Sequence, residues 1–124
     1  ALGVNYDPSH LVRMNVDYLR FLREFVVLVH HVHGKDTDFD DDAVYEYGTE
    51  QPRTFGTNVG FGGTFWRYTV PGQGVIRWKP IFQTLADAGY RGYVSIELED
   101  ADYNGTEAGE KQGLLAGRDY LAMC

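Results

Sequence analysis

The stretch Tyr93–Asp100 alternates apolar side chains with polar ones, and this alternation constrains the fold more than any other feature of the chain. The apolar positions are Val94, Ile96 and Leu98, and the polar positions between them are Ser95, Glu97 and Glu99. A period of two predicts a β-strand with one apolar and one polar face. Such a strand suits the wall of an α/β barrel, with helices outside and a polar site inside.

Two other strand-like stretches are each followed by a residue of a type that binds metal ions. We predict a strand over Gly3–Tyr6, and it ends at Asp7-Pro8 because proline lacks a backbone donor. A second strand is predicted over Val26–Val32, which is rich in β-branched residues and is followed by His33. The predicted helices are Val16–Phe25 with Asn15 as its N-cap, Trp78–Ala88 with Gly89 as its stop, and Glu107–Leu121 with Thr106 as its N-cap.

Alternating strands and helices predict a parallel sheet covered by helices, with functional residues at the C-terminal ends of the strands. The residues at the predicted ends are Asp7, His10, His33, Lys35, Glu97 and Glu99. A complete (β/α)8 barrel needs about 250 residues, whereas this chain has 124. We therefore expect residues 1–124 to form a single partial domain, the C-terminal portion of such a barrel with about three β/α units.

The segment from Lys35 to Val75 is polar and rich in glycine, and we predict a long loop there. Its acidic run, Asp36–Asp42, lacks the spacing of a calcium-binding loop and is expected to be solvated. In the same segment, Arg67 is a candidate to bind a sugar hydroxyl, a carboxylate or a phosphate. Trp66 is a candidate to stack on the face of a sugar.

Composition narrows the range of partners. The formal net charge of -7 argues against a nucleic acid or an anionic membrane. No apolar run reaches the length of a membrane span. The single cysteine, Cys124, cannot form a disulfide within the chain, which is compatible with a reducing compartment, and we expect a cytoplasmic protein.

Asp7, His33 and Glu97 form the candidate metal site, one from each strand end. Carboxylate oxygens and imidazole nitrogens together suit a divalent Mn, Co, Zn, Fe or Mg ion. Lys35 shares a predicted strand face with His33 and could contact substrate oxygens. Glu99 lies one pleat beyond Glu97, and it is either a second functional carboxylate or a partner in an ion pair.

Four motifs resemble those of a known family, in the same order and over nearly the whole chain. They are Asn5–His10, His31–Asp36, Trp66–Gly74 and Val94–Asp100. The set is similar to the sugar phosphate isomerase/epimerase family, also called the xylose-isomerase-like TIM barrels. The resemblance implies that the three predicted strands are the sixth, seventh and eighth strands of the barrel.

The resemblance also implies roles for individual residues. In that family a divalent metal is held by a glutamate, an aspartate, a histidine and a glutamate on the last four strands. Asp7, His33 and Glu97 match the last three ligands, and His10 matches a histidine that contacts the substrate. The first glutamate has no counterpart here. We therefore expect the chain to form a homo-oligomer or to be completed by an N-terminal half chain.

The activity that the resemblance implies is metal-dependent isomerisation or epimerisation of a sugar or sugar phosphate. Removing a proton beside a carbonyl gives an enediolate, whose charge a metal ion stabilises. Glu97 is the candidate base that moves the proton, and Glu99 is its main competitor. Two alternatives stay open. One is a metal-dependent lyase or dehydratase on the same barrel, and the other is an inactive barrel fragment that acts as an assembly subunit.

Overall fold

The computed structural model describes residues 2–50, 54 and 56–124. In chain order the elements are β1 (Val4–Tyr6), α1 (Pro8–Arg13), α2 (Tyr18–Phe25), β2 (Val29–Gly34), β3 (Asp36–Phe39), α3 (Asp41–Tyr47), β4 (Trp66–Thr69), α4 (Trp78–Asp87), β5 (Val94–Ile96) and α5 (Glu107–Ala122). A short 3-10 turn over Val26–Leu28 precedes β2. None of the helices in the described part of the chain is both long and apolar enough to span a membrane.

Strands β1, β2 and β5 form a parallel sheet with β2 in the middle. Asn5 pairs with His31 across the first ladder, and His33 pairs with Ser95 across the second. Because the strands run in the same direction, their C-terminal ends lie side by side at one edge of the sheet. This arrangement confirms the predicted α/β class, with helices connecting parallel strands.

The hydrophobic core lies between this sheet and the helices that cover it. Its buried members are Tyr6, Val12, Leu19, Leu22, Val29, Val32, Ile76, Trp78, Ile81 and Leu85. Tyr6 is buried in the core, whereas its neighbour Asn5 contacts His33 on the opposite face of the sheet. The side chains of β1 therefore alternate between an apolar face and a polar one.

The two C-terminal helices agree closely with their predictions. Helix α4 ends one residue before the predicted limit, and Gly89 follows it with a positive φ of 76°. Helix α5 extends one residue beyond the predicted limit, and the hydroxyl of Thr106 accepts a hydrogen bond from the Gly109 amide at 3.1 Å. Amphipathic spacing and recognisable caps are enough to predict such helices.

Elements near the start of the chain differ from the prediction. The predicted helix over Val16–Phe25 begins only at Tyr18, because Asp17 rather than Asn15 caps it, accepting from the Arg20 amide at 2.9 Å. Asn15 has a positive φ of 57° in the preceding turn. Helix α1 was not predicted, although proline at its first position and Asp7 at its N-cap are ordinary helix-start signals.

The second strand is also displaced from its predicted range of Val26–Val32. Residues Val26–Leu28 form the 3-10 turn, and the strand proper runs from Val29 to Gly34. β-branched residues favour a strand, but here the first two of them continue the helical backbone at the end of α2. The shift places His33 within the strand rather than after it.

The segment from Lys35 to Val75 is not one long loop. Strands β3 and β4 pair antiparallel, with Asp36 opposite Thr69 and Phe39 opposite Trp66. Helix α3 lies between them, capped by the side chain of Asp40, which accepts from the Ala43 amide. We call the pair of strands the hairpin. The pairing joins residues that are far apart in the sequence, so the local pattern alone does not predict it.

Buried aspartates attach the hairpin to the rest of the fold. Asp36 is fully buried, and its carboxylate accepts from the amides of Thr37, Gly72 and Ile76 and from the indole of Trp78. The prediction that this acidic run is solvated is therefore wrong at its first residue. Burial raises the pKa of Asp36 above its usual value, although the four donors favour the charged form.

Asp100 performs a similar role after β5. It is fully buried, and one of its carboxylate oxygens accepts from the Thr69 hydroxyl at 2.7 Å and from the Val70 amide at 3.2 Å. Its other oxygen accepts from the Asp102 amide at 2.9 Å. These contacts join the end of β4 to the loop that follows β5, and so hold the hairpin beside the parallel sheet.

We predict that Asp36→Asn lowers the free energy of unfolding by about 2 kcal/mol, because an amide NH2 at either oxygen position would face two donors. Denaturant unfolding followed by circular dichroism measures this change. Asp38→Asn is the matched control, since that side chain is half-exposed in the same acidic run. The control should lie within about 0.5 kcal/mol of the wild type. Equal stability of the two variants would contradict the role assigned to Asp36.

Candidate metal and proton-transfer site

The polar residues singled out in the sequence gather where the three parallel strands end. Asp7 follows β1 and caps α1, and His10 lies on the first turn of that helix. His33 lies in β2. Glu97 follows β5, and its backbone amide bonds the Gly34 carbonyl at 3.3 Å, which extends the ladder beyond the strand. The parallel register thus brings residues distant in sequence to one edge.

The two oxygens of Asp7 have different surroundings. Its Oδ1 accepts from the amide and the hydroxyl of Ser9, at 3.0 and 2.6 Å. Its Oδ2 is buried and has no hydrogen-bond partner of good geometry in the described part of the chain. A buried carboxylate oxygen that accepts no hydrogen bond is costly, so it marks a place where a closer cation or donor is expected.

Three cationic or imidazole groups surround that oxygen. His10 Nε2 and Lys35 Nζ each lie 3.4 Å from Asp7 Oδ2, and His33 Nδ1 lies 3.5 Å from it. Glu97 Oε2 is 3.2 Å from His33 Nδ1 on the other side of the cluster. The Glu97 side chain remains 37% exposed, so a small molecule can reach it.

These donor atoms fit a divalent metal ion. One atom each from Asp7, His10 and Glu97 lies within 4.8 Å of the others. His33 Nδ1 adds a second imidazole nitrogen near the same two carboxylates. Mixed oxygen and nitrogen ligands suit a Mn, Fe, Co or Zn ion. Of the predicted ligands, Asp7 and Glu97 belong to this tight group, and His10 joins them although the sequence suggested it only as a substrate contact.

Each imidazole is held through one nitrogen while the other faces the carboxylates. Tyr68 Oη lies 2.6 Å from His10 Nδ1, which leaves Nε2 toward Asp7. The side-chain amide of Asn5 lies 3.2 Å from His33 Nε2, which leaves Nδ1 toward Glu97. A second partner of this kind fixes the orientation of the ring and, in metal sites, tunes the ligand.

Lys35 lies at the centre of the same cluster and is only 1% exposed. Its Nζ donates to Glu97 Oε2 at 2.6 Å and to Glu99 Oε2 at 2.8 Å. The ammonium also lies 4.4 Å from the ring centroid of Tyr68, a cation–π distance. Burial disfavours the charged form, but the hydrogen bonds to Glu97 and Glu99 outweigh it, so the pKa of Lys35 is raised above its usual value.

Tyr68 is a site residue that sequence reasoning missed. It is buried in β4, its hydroxyl contacts His10, and its ring lies against Lys35. Burial raises the pKa of its phenol, so the hydroxyl is protonated at neutral pH. The alternation of Trp66 and Tyr68 with polar neighbours was a strand signal. The prediction of a loop over Lys35–Val75 does not use this signal.

Arg67 and Trp66, the two candidates from the predicted loop, lie in β4 and contact other side chains. Arg67 donates to Asp102 at 2.6 Å and lies 3.8 Å from Asp38. The hydrogen bond with Asp102 raises the pKa of Arg67, so the guanidinium stays charged and is paired with that carboxylate. The ring of Trp66 lies edge-on to Tyr68 at 5.0 Å, with the Arg13 guanidinium 5.1 Å from its centroid. Trp66 is therefore joined to the cluster through Tyr68.

Comparisons with known proteins agree with this architecture. The model of the xylose isomerase-like TIM barrel family matches residues 1–122. A solved xylose isomerase domain protein from Planctomyces limnophilus superposes with a TM-score of 0.62 over 99% of this chain and 40% of its own. Its sequence identity is 23%, so this likeness concerns the fold alone.

Curated relatives match over most of the chain. The uncharacterized protein YfiH of Bacillus subtilis (strain 168) is 34% identical over 98% of this chain. An inosose dehydratase of Geobacillus thermodenitrificans is 37% identical over 76% of it. The chain spans 38% and 29% of the lengths of these two relatives. Since the family model covers nearly every residue, the chain belongs to the xylose isomerase-like TIM barrel family.

Proposed function

We propose that this chain supplies the metal ligands and the base of a metal-dependent enzyme that removes a proton beside a carbonyl in a sugar or a related polyhydroxylated ring. The observation that carries the proposal is that ligand atoms of Asp7, His10 and Glu97 lie within 4.8 Å of one another, with His33 Nδ1 beside both carboxylates. Two carboxylates and two imidazoles from three separate segments of the chain are rarely brought together for stability alone, since like charges repel.

A bound divalent ion would stabilise the negative charge that develops on the substrate oxygen when the proton leaves. Asp7 and Glu97 would hold that ion together with the imidazoles. Glu97 is the group best placed to take the proton, because its side chain is 37% exposed and its carboxylate belongs to the ligand group. Glu99 shares the ammonium and is 35% exposed, so it stays the competing base.

Two outcomes can follow proton removal, and they define two candidate activities. Return of a proton to the same or the neighbouring carbon gives an isomerase or epimerase. Departure of a hydroxyl group instead gives a dehydratase, and the curated relatives named inosose dehydratase favour this second candidate. Both begin with the same residues in the same roles. We therefore propose proton removal as the common step, and the reaction product distinguishes an isomerase or epimerase from a dehydratase.

We also propose that further strands complete the barrel, supplied by other copies of the chain or by a separate segment. In the described residues, β1 and β5 each have one edge that bonds to no other strand. Open edges of a parallel sheet favour pairing with another strand. Exposed apolar side chains beside these strands, such as Leu2 and Tyr93, would then be covered.

We predict that Asp7→Asn weakens binding of Mn2+ or Zn2+ more than about 100-fold. The substitution removes the negative charge of a residue that binds the ion directly, whereas loss of a residue that only orients a ligand has a smaller effect. Isothermal titration of the chelator-treated protein measures the affinity. Asp42→Asn, an exposed residue of α3, is the control and should bind as the wild type does. Unchanged affinity in Asp7→Asn would remove Asp7 from the site.

We predict that the chain in its native assembly, with metal added, exchanges the hydrogen next to the carbonyl of inosose or of a ketose for deuterium in D2O. Glu97→Gln should abolish this exchange and leave the circular dichroism spectrum unchanged, whereas Glu107→Gln on the exposed start of α5 should retain it. Proton NMR follows the exchange. A product that has lost one water identifies a dehydratase, and an isomeric product identifies an isomerase or epimerase. If exchange persists in Glu97→Gln, a residue other than Glu97 is the base.

A further inference from the structure

We infer that Lys35 is an internal counter-cation that weakens metal binding at the site and stabilises the ligand cluster when no metal is bound. This inference rests on the metal site of the proposed function. It goes beyond that function because it assigns a task to a residue that would not be a ligand. Lys35 would act by competing with the ion for the same oxygens.

The contacts of Lys35 are made with the atoms that face the metal site. Its Nζ lies 2.6 Å from Glu97 Oε2, the same oxygen that lies 3.2 Å from His33 Nδ1. It lies 3.4 Å from Asp7 Oδ2 and 3.4 Å from His10 Nε2. An ion that draws Glu97 Oε2 and Asp7 Oδ2 to itself must therefore displace the ammonium or share the oxygens with it.

The net charge of the cluster also indicates that Lys35 competes with a metal ion. The three carboxylates of Asp7, Glu97 and Glu99 surround one ammonium, which leaves two negative charges when both histidines are neutral. Two negative charges are what a divalent ion compensates. Without Lys35 the cluster would carry a third negative charge at close range. Carboxylates in that arrangement repel one another and attract a cation more strongly.

The surroundings of Lys35 keep the ammonium in this place. The residue is 1% exposed, and its charge lies over the ring of Tyr68. Glu99 offers an alternative partner at 2.8 Å that does not belong to the tight ligand group. An incoming ion can thus take Glu97 while the ammonium keeps its bond to Glu99, so displacement costs less than full loss of the ion pair.

The test compares four variants of the chain for Zn2+ affinity at one fixed pH, by isothermal titration. Lys35→Met and Lys35→Gln remove the charge, Lys35→Arg keeps it, and Lys79→Met on the exposed face of α4 is the matched control. We expect both neutral variants to bind Zn2+ at least about tenfold more tightly than the wild type. The arginine variant and the control should stay within about threefold of the wild type.

Thermal unfolding supplies a second readout. In the presence of a chelator the two neutral variants should melt below the wild type, because the carboxylates lose their counter-cation. With saturating Zn2+ they should gain more in melting temperature than the wild type does, since tighter binding stabilises the folded state more. A lysine with a purely structural role would lower the melting temperature under both conditions and would not strengthen metal binding.

The outcomes separate this inference from the proposed function. If the wild type binds Zn2+ and neither neutral variant binds more tightly, the role of Lys35 is overturned and the metal site stands. If neither the wild type nor the neutral variants bind, both the inference and the metal site are overturned. Tighter binding in Lys35→Met and Lys35→Gln, with wild-type affinity in Lys35→Arg, supports both.

Discussion

The side chain of Asp7 connects the fold to the site through its two oxygens. One oxygen caps α1 by accepting from Ser9, which fixes the chain as it leaves β1. The other is buried, accepts no hydrogen bond of good geometry from the described residues, and lies within 3.5 Å of His10, His33 and Lys35. The geometry of the helix start therefore sets where the cluster forms, because the cap holds the carboxylate in one orientation.

The hairpin completes the cluster from the other side. Asp36 and Asp100 are buried and fully hydrogen-bonded, and together they hold β3 and β4 beside the parallel strands. That attachment brings Tyr68 to His10 and Lys35. The site thus depends on two kinds of carboxylate. Asp36 and Asp100 are satisfied by backbone and side-chain donors, whereas Asp7, Glu97 and Glu99 share a single ammonium.

The sequence predicts the parts of this molecule that local signals determine. Strand alternation predicted the polar face of β5, and the Gly89 stop and the Thr106 cap predicted the limits of α4 and α5 to within one residue. The hairpin escaped prediction because its pairing depends on Asp36 and Asp100 contacts to residues 30 or more positions away, such as Thr69 and Ile76. Tyr68 was missed with it, since no motif indicates that a loop tyrosine reaches a histidine 58 positions distant.

The proposed metal site requires that Asp7, Glu97 and at least one of His10 and His33 bind the same ion. A crystal grown with Zn2+ and measured on both sides of the zinc absorption edge tests it directly. An ion bound by these residues gives one anomalous peak about 2.0–2.2 Å from Asp7 Oδ2, Glu97 Oε2 and an imidazole nitrogen. A fully occupied peak elsewhere, with these side chains still bonded to Lys35 and to one another, would contradict it.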